Sequence, residues 1–213
     1  MNRAKKNYTT IYLICLMAFT GCGTKISVRP LENNESEISL ELDLGKIIEE
    51  TLDTAMSGLT EIEGNENQVN FFDAPSIEKS LAAAGFKNIK ITTPARTKLN
   101  LSFSGKFDFA ESEKNKTCIK LNQDTIKNFS TSFGEEFKSV IDLFMAPVLT
   151  DEEMSADEYA ELVAVVYGQK VADELMHSSV EFSVVSKNGK SKSYKIPLAE
   201  LMTLTNEMTL VSE

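Results

Sequence analysis

The chain has 213 residues, of which 42% are hydrophobic and 25% are charged, a composition typical of globular proteins with a buried core. Its 22 basic and 32 acidic residues give a formal net charge of −10 at pH 7. This negative balance repels phosphate backbones and anionic lipid headgroups, so it excludes nucleic acid as a partner and electrostatic docking on a membrane surface.

The N-terminus has the pattern of an export signal. Arg3, Lys5 and Lys6 precede an unbroken apolar run of nine residues from Ile11 to Phe19. A helix that spans a bilayer needs about 20 apolar residues, so this run is too short to cross one. A positive segment followed by a short apolar run is typical of a cleaved signal peptide, and we expect this segment to be removed.

The apolar run ends in Phe19-Thr20-Gly21-Cys22, which resembles the lipobox of bacterial lipoproteins, with Phe19 where the usual pattern has Leu. The resemblance implies that residues 1–21 are removed, that Cys22 carries a diacylglyceryl group, and that residues 22–213 form a single domain anchored by acyl chains. It further implies a cell membrane or outer membrane location, facing the periplasm or the cell exterior. The alternatives are an ordinary signal peptide, for which no A-x-A site is visible, and a buried strand that ends in cysteine.

Cysteine usage agrees with this interpretation. Cys15 would leave with the signal and Cys22 would carry lipid, so Cys118 would be the last free thiol and could form no disulfide within the mature chain. Cys118 has no CxxC partner, and we interpret it as a half-buried strand residue and not as a nucleophile.

The first predicted elements are a hairpin and a helix. Ile26 and Val28 alternate within residues 24–29, and apolar residues recur at every second position from Ile38 to Leu44, which predicts two strands with one buried face. The first strand begins two residues after Cys22, so the domain should sit close to the bilayer. An apolar stripe at helical spacing follows Gly45: Ile47, Ile48, Leu52, Ala55, Met56 and Leu59.

Residues 61–70 are acidic and polar and predict a surface loop. A calcium site is an alternative, but the D-x-D-x-D-G pattern is absent, and we assign no metal. Asp73 or Ser76 should then cap a helix that ends at Gly85 and buries Ile77 and Leu81.

A three-strand meander is predicted next. A three-residue loop from Pro94 to Arg96 would pair Ile91 with Leu99 and Ile89 with Leu101. A second turn across residues 111–116 would place Ile119 opposite Phe107 and Leu121 opposite Gly105, which keeps one face of the sheet buried throughout.

Residues 122–147 carry a phenylalanine pattern that suggests either a core helix or a ligand site. Apolar residues at steps of three and four predict a helix with one aromatic face, which could pack on the sheet. The face could instead line an apolar pocket for a lipid or another apolar small molecule. A membrane-surface helix is a third alternative, but its polar side is not basic. The candidate ligand-binding residues are Phe129, Phe133, Phe137 and Phe144.

The next helical region starts with a capping box, Ser155 with Glu158. Gly168 should divide it into two short helices or kink one. We expect Tyr159, Leu162, Val163 and Val166 to face inward first, then Val171, Leu175 and Met176.

Acidic residues crowd the start of this region: Asp151, Glu152, Glu153, Asp157 and Glu158. A general acid/base pair is one interpretation, but stabilisation of the helix dipole accounts better for them. His177 likewise suits the negative end of the second helix, and we assign no catalytic residue.

The last segment is a hairpin and a short strand. A three-residue loop from Lys187 to Gly189, with Gly189 left-handed, pairs Val180 with Ile196 and Phe182 with Tyr194. Pro197 should end the strand, a helical turn should cover residues 198–204, and residues 207–211 should form the last strand.

Strands in hairpins and a meander, with helices grouped between them, predict an α+β fold. We expect an antiparallel sheet of about seven to eight strands with helices packed on one face. A division into two units near residues 111–116 or 149–157 is the alternative.

The lipobox cysteine, the immediate hairpin and the run FFDAPSIEKSLAAAGFKNIKITTPARTKLNLSFSG together resemble the N-terminal domain of the LppM-like bacterial lipoproteins, over residues 22–109. The resemblance implies a cell-envelope domain and transfers no catalytic residue or cofactor.

Three functions are compatible with these patterns. The first is a non-enzymatic envelope lipoprotein that binds an envelope protein partner. The second is a carrier or sensor of a lipid or other apolar ligand, using the face from Phe129 to Phe144. The third is a hydrolase that depends on carboxylates, which would need two acids converging in a cleft.

Overall fold

The computed structural model describes residues 23–46, 49–50, 72–107, 109–113, 115–123 and 153–212. The export signal with Cys22, most of the helical stripe that follows Gly45, the acidic loop and the phenylalanine-rich segment lie outside the described residues.

Nine strands and four α-helices are present in the described ranges, together with a 3₁₀ turn at Glu32–Asn34. The strands are β1 Thr24–Pro30, β2 Ser36–Asp43, β3 Lys87–Ala95, β4 Lys98–Gly105, β5 Ala110–Glu113, β6 Lys116–Leu121, β7 Ser179–Val185, β8 Ser191–Pro197 and β9 Met208–Val211. The helices are α1 Ala74–Ala83, α2 Ala156–Tyr167, α3 Gln169–His177 and α4 Leu198–Met202.

The strands form two sheets. Six are ordered β3-β4-β2-β1-β7-β8, and three are ordered β5-β6-β9. The α+β class is confirmed, but the expectation of an entirely antiparallel sheet of seven to eight strands is wrong, because β1 and β7 run parallel. Both edges of β1 are used, one by β2 and the other by β7, and α3 delivers the chain to β7 at the end where β1 begins.

Apolar side chains from all six strands of the larger sheet lie on one face. Ile26 is opposite Leu40 in β2 and Phe182 in β7, and Phe182 is opposite Tyr194 in β8. The register predicted for the last hairpin is therefore confirmed, and Gly189 has the predicted left-handed conformation, with φ of +84°. Because strand side chains alternate, the opposite face of this sheet is polar.

The register predicted between β3 and β4 is wrong by two residues. Ile91 pairs with Leu101, and the turn contains Arg96 and Thr97. An irregularity between Thr92 and Ala95 takes up an extra residue in β3, where an edge strand can accommodate Pro94 without losing a sheet hydrogen bond. A shift of two residues preserves side-chain parity, so Ile91 remains on the apolar side.

The predicted third strand of the meander is also wrong. Ile119 pairs with Ala110 and not with Phe107, and β6 joins β9 in the smaller sheet. The chain leaves the larger sheet at Gly105, where an aromatic cluster fills the corner. The Phe86 ring stacks on Phe107 at 5.2 Å between centroids and meets Phe103 edge to face at 5.0 Å.

The helices begin and end largely where the sequence predicts. Asp73 caps α1 by accepting a hydrogen bond from the Ser76 backbone N–H, and Gly168 separates α2 from α3 with φ of +90°. Val166, predicted to face inward, is 46% exposed. The buried residues of α2 are Tyr159 and Val163, and Val166 lies in the last turn, one residue before the helix ends at Tyr167.

The buried residues of the larger sheet, the smaller sheet and the four α-helices form one hydrophobic cluster. A side chain joins the two sheets directly. The Tyr194 hydroxyl in β8 donates to the Val211 carbonyl at 2.7 Å and accepts from the Val211 N–H at 3.0 Å. It thereby satisfies both backbone groups of one residue in β9.

Gly105→Ala tests the aromatic packing at the corner where the chain leaves the larger sheet. A methyl group at position 105 would lie 2.4 Å from Phe86 Cδ1, and that ring is held by two other phenylalanines. We expect the substitution to lower the free energy of unfolding by about 1–3 kcal/mol, measured by urea denaturation. In a Phe86→Leu background the same substitution should cost clearly less. An equal cost in both backgrounds would contradict the packing described.

Candidate interaction surfaces

The proposed lipid-anchor and ligand-binding residues lie outside the described residues. They are Cys22, Phe129, Phe133, Phe137 and Phe144. Of the remaining candidates, Cys118, His177, Glu153, Asp157 and Glu158 lie within the described residues.

Cys118 is half-buried in β6, as predicted. Burial raises the pKa of its thiol, while the nearby positive charge of Lys120 acts in the opposite direction. The Lys120 ammonium itself lies 3.3 Å from a Glu111 carboxylate oxygen. A thiol with a raised pKa is less often ionised, which fits the structural interpretation of Cys118.

The acids and the histidine occupy helix ends. Glu158 accepts hydrogen bonds from the Ser155 backbone N–H and hydroxyl, both at 2.8 Å, and these two bonds lower the pKa of the Glu158 carboxyl. The capping box is thus confirmed. His177 lies in the last turn of α3 with Nδ1 2.6 Å from the Asp173 carbonyl oxygen, as the helix-end interpretation predicts. Asp151 and Glu152 are outside the described residues.

One end of the larger sheet adjoins the position of Cys22. Thr24 starts β1, is buried, and pairs with Val180 at the start of β7. The Leu44 N–H bonds to the Thr97 carbonyl, so the turn between β3 and β4 lies at the same end. We call this the Thr24 end. The loop between β7 and β8 lies at the opposite end, because β1 and β7 run parallel.

The polar face of the larger sheet carries a row of small side chains. Adjacent pairs in five strands place one serine from each strand in line, and Lys90 of β3 continues the row. We call it the serine row: Ser193, Ser183, Ser27, Ser39 and Ser102.

A charged row runs beside the serine row, nearer the Thr24 end. It consists of Lys195, Glu181, Lys25 and Glu41, in register across β8, β7, β1 and β2. Opposite charges on neighbouring strands attract one another, so Glu181 and Lys25 inside the row have an opposite charge on both sides, whereas Lys195 on the edge strand has one on a single side. The serines beside it form a shallow polar strip between longer side chains.

The β7–β8 hairpin is basic in an acidic protein. It carries Lys187, Lys190, Lys192 and Lys195, and no acidic residue occurs from Phe182 to Ala199. The Lys192 ammonium lies 5.1 Å from the centre of the Tyr194 ring, within cation–π distance. All four lysines are exposed.

Neither a metal site nor a membrane span is found in these parts of the chain. No group of three or more His, Cys, Asp and Glu side chains in the described ranges is placed to hold a metal ion. No helix in the described ranges is long and apolar enough to cross a membrane. Comparison with models of protein families, with curated proteins and with solved structures found no match.

Sequence reasoning missed the serine row and the exposed edge of β8. The signal was present, since each serine stands at an outward position of an alternating strand. Only the pairing order of the strands, however, brings residues from both ends of the chain into one line.

Ser39→Thr tests whether the serine row is open to solvent. A β-branched side chain suits a pleated strand better than serine, so we expect the substitution to raise the free energy of unfolding by roughly 0.5 kcal/mol. Urea denaturation measures it, and Ser193→Thr on the edge strand is the control, with a smaller expected gain. A loss of stability for Ser39→Thr would mean that another part of the protein covers the row.

Proposed function

We propose that the protein is a lipid-anchored lipoprotein of the bacterial cell envelope, held at Cys22, that acts as a non-enzymatic binding module for an envelope protein. The observation that carries the proposal is the position of β1. This strand starts at Thr24, two residues after Cys22, and has three strands on one side of it and two on the other in the sheet order.

Such an attachment leaves almost no tether. The Thr24 end of the larger sheet would then face the bilayer, with the turn between β3 and β4 and the start of β7 beside it. A seven-residue strand is about 23 Å long, so the β7–β8 loop would stand at least that far from the anchored end. The polar face and the β8 edge would be accessible from the side, which suits a module that binds another envelope protein.

Acyl chains are sufficient for such an anchor without help from charge. A single chain gives weak and reversible binding, whereas two chains hold a protein stably. The full chain has a net charge of −10, and removal of residues 1–21 would take away three basic residues and no acid, so charge opposes attraction to anionic lipids and attachment depends on the modified cysteine.

Cys22→Ser tests the anchor. In a bacterium fed an alkyne-tagged fatty acid, the wild-type protein should become labelled and sediment with membranes. The variant should lose the label and keep its signal segment, because the residue that receives the lipid is absent.

Cys15→Ser is the matched control, since Cys15 lies inside the segment that would be removed. It should leave labelling unchanged. Persistent labelling of the Cys22→Ser variant would refute the proposed anchor.

The alternative function is a carrier or sensor of an apolar ligand, favoured by the recurrence of phenylalanine from Phe129 to Phe144 at helical spacing. The test uses residues 23–213, which lack the cysteine that would carry the anchor. Mass spectrometry of an organic extract of this purified protein would distinguish the two functions. A lipid present in stoichiometric amount, and lost in a folded Phe133→Glu, Phe137→Glu variant, would favour the carrier. An empty extract would favour the binding module.

A hydrolase that depends on carboxylates has less support from the described residues. Glu158 accepts two hydrogen bonds from Ser155, and the first turn of α2 accounts for Asp157 and Glu158 together. Acids at this position stabilise the helix without any catalytic role.

A further inference from the structure

The backbone of β8 presents a row of hydrogen-bonding groups on its outer side. The Ser186 N–H donates to the Lys190 carbonyl, and the Leu198 N–H donates to the Ser178 carbonyl, at the two ends of the β7–β8 ladder. Alternate residues of an antiparallel strand bond to the same neighbour, so Lys192, Tyr194 and Ile196 face β7. The N–H and C=O groups of the residues between them, Ser191, Ser193 and Lys195, therefore point outward.

This edge differs from the other edge of the same sheet. The β3 edge is broken by two register irregularities, by the left-handed Asn88 and by Pro94. Such features prevent another strand from pairing with an edge. The β8 edge pairs with β7 through seven consecutive residues without a shift. Within the described residues, no backbone group accepts from or donates to its outer side.

The side chains on the β8 edge define which strand could pair there. Lys192 and Lys195 lie on opposite faces of β8, and Lys187 and Lys190 extend the positive charge into the loop. A second copy of this chain, paired through its own β8, would bring two such groups of lysines together. Like charges on adjacent strands are destabilising, so the lysines disfavour that pairing. An acidic strand would meet a positive charge on either face.

We propose that the β8 edge binds an extended acidic segment of a partner protein, which adds to the larger sheet as a seventh strand. The inference rests on the proposed function and names the chemistry of its partner. Main-chain hydrogen bonds to Ser191, Ser193 and Lys195 provide the pairing, and the lysines select for acidic residues. Lysine also protects edges from indiscriminate pairing, so the same side chains exclude neutral and basic strands.

Amide hydrogen exchange tests the proposal on the intact, nitrogen-15-labelled protein. The probe is a synthetic octapeptide of alternating Glu and Thr. At millimolar peptide we expect the outward amides of Ser191, Ser193 and Lys195 to exchange about tenfold more slowly, because they become hydrogen-bonded, while the Lys192 and Tyr194 amides change little. Unchanged exchange of the outward amides would overturn the proposal.

Two peptide controls separate strand pairing from simple charge attraction. The same peptide with an N-methyl group on every residue keeps its charge but has no free N–H on either edge, so it cannot complete the ladder, and it should give no protection. A Lys-Thr octapeptide should not bind. Equal protection by the N-methylated peptide would refute strand addition, and so would outward amides that are already protected in a dimer of the free protein.

Substitutions in β8 test whether the peptide slows amide exchange by binding at this edge. Ser193→Pro removes an outward N–H without removing a bond to β7, and it should abolish protection by the peptide, whereas Ser193→Ala should retain it. Lys192→Glu with Lys195→Glu should abolish protection, and Lys90→Glu on the opposite edge is the matched control. The lipid label at Cys22 is measured separately, so failure of this proposal and failure of the anchor are distinguishable.

Discussion

The parallel pairing of β1 with β7 is the contact on which the fold depends. It joins the first described strand to a strand near the other end of the chain, with Thr24 opposite Val180. Closing so long a loop carries an entropic cost that no local interaction offsets. The offset comes from the buried face, where Ile26 and Val28 pack beside Phe182 and Val184. Once these strands pair, β2, β4 and β3 extend the sheet on one side and β8 extends it on the other.

The smaller sheet is joined to the larger sheet at two places. At the corner where β4 ends, Gly105 leaves room for the Phe86 ring, which stacks on Phe107 as the chain turns away. At the β8 edge, the Tyr194 hydroxyl satisfies the backbone of Val211 in β9. An unpaired buried backbone group costs free energy, so a single hydroxyl that meets both a donor and an acceptor stabilises this junction efficiently.

Local features of the sequence predicted local structure well. Features that depend only on neighbouring residues were predicted correctly. They are the capping box of Ser155 and Glu158, the helix break at Gly168 and the turn at Gly189. The choice of partner strand is a long-range property, and there the predictions failed. Nothing near Ile119 indicates that β6 pairs with β9 and not with β4. Likewise, nothing near Ile26 indicates that one of its neighbours runs parallel.

The candidate functional residues show the same difference between local and long-range features. The capping role of Glu158 and the half-buried position of Cys118 could be predicted because each depends on neighbours in sequence or on strand alternation. The serine row and the open edge of β8 could not, because a row requires the order of five strands and an edge requires knowing which strand is last. The lipid anchor and the aromatic face rest on sequence pattern alone.

The central position of β1 also determines how the protein responds to mechanical load. A force applied at the N-terminal end of β1 and directed along the strand acts on its hydrogen bonds to β2 and to β7 together. The bonds are then sheared as a set and are not peeled apart one at a time, as they would be if the load reached an edge strand from its end. A protein pulled from Thr24 therefore resists extension with both halves of its larger sheet.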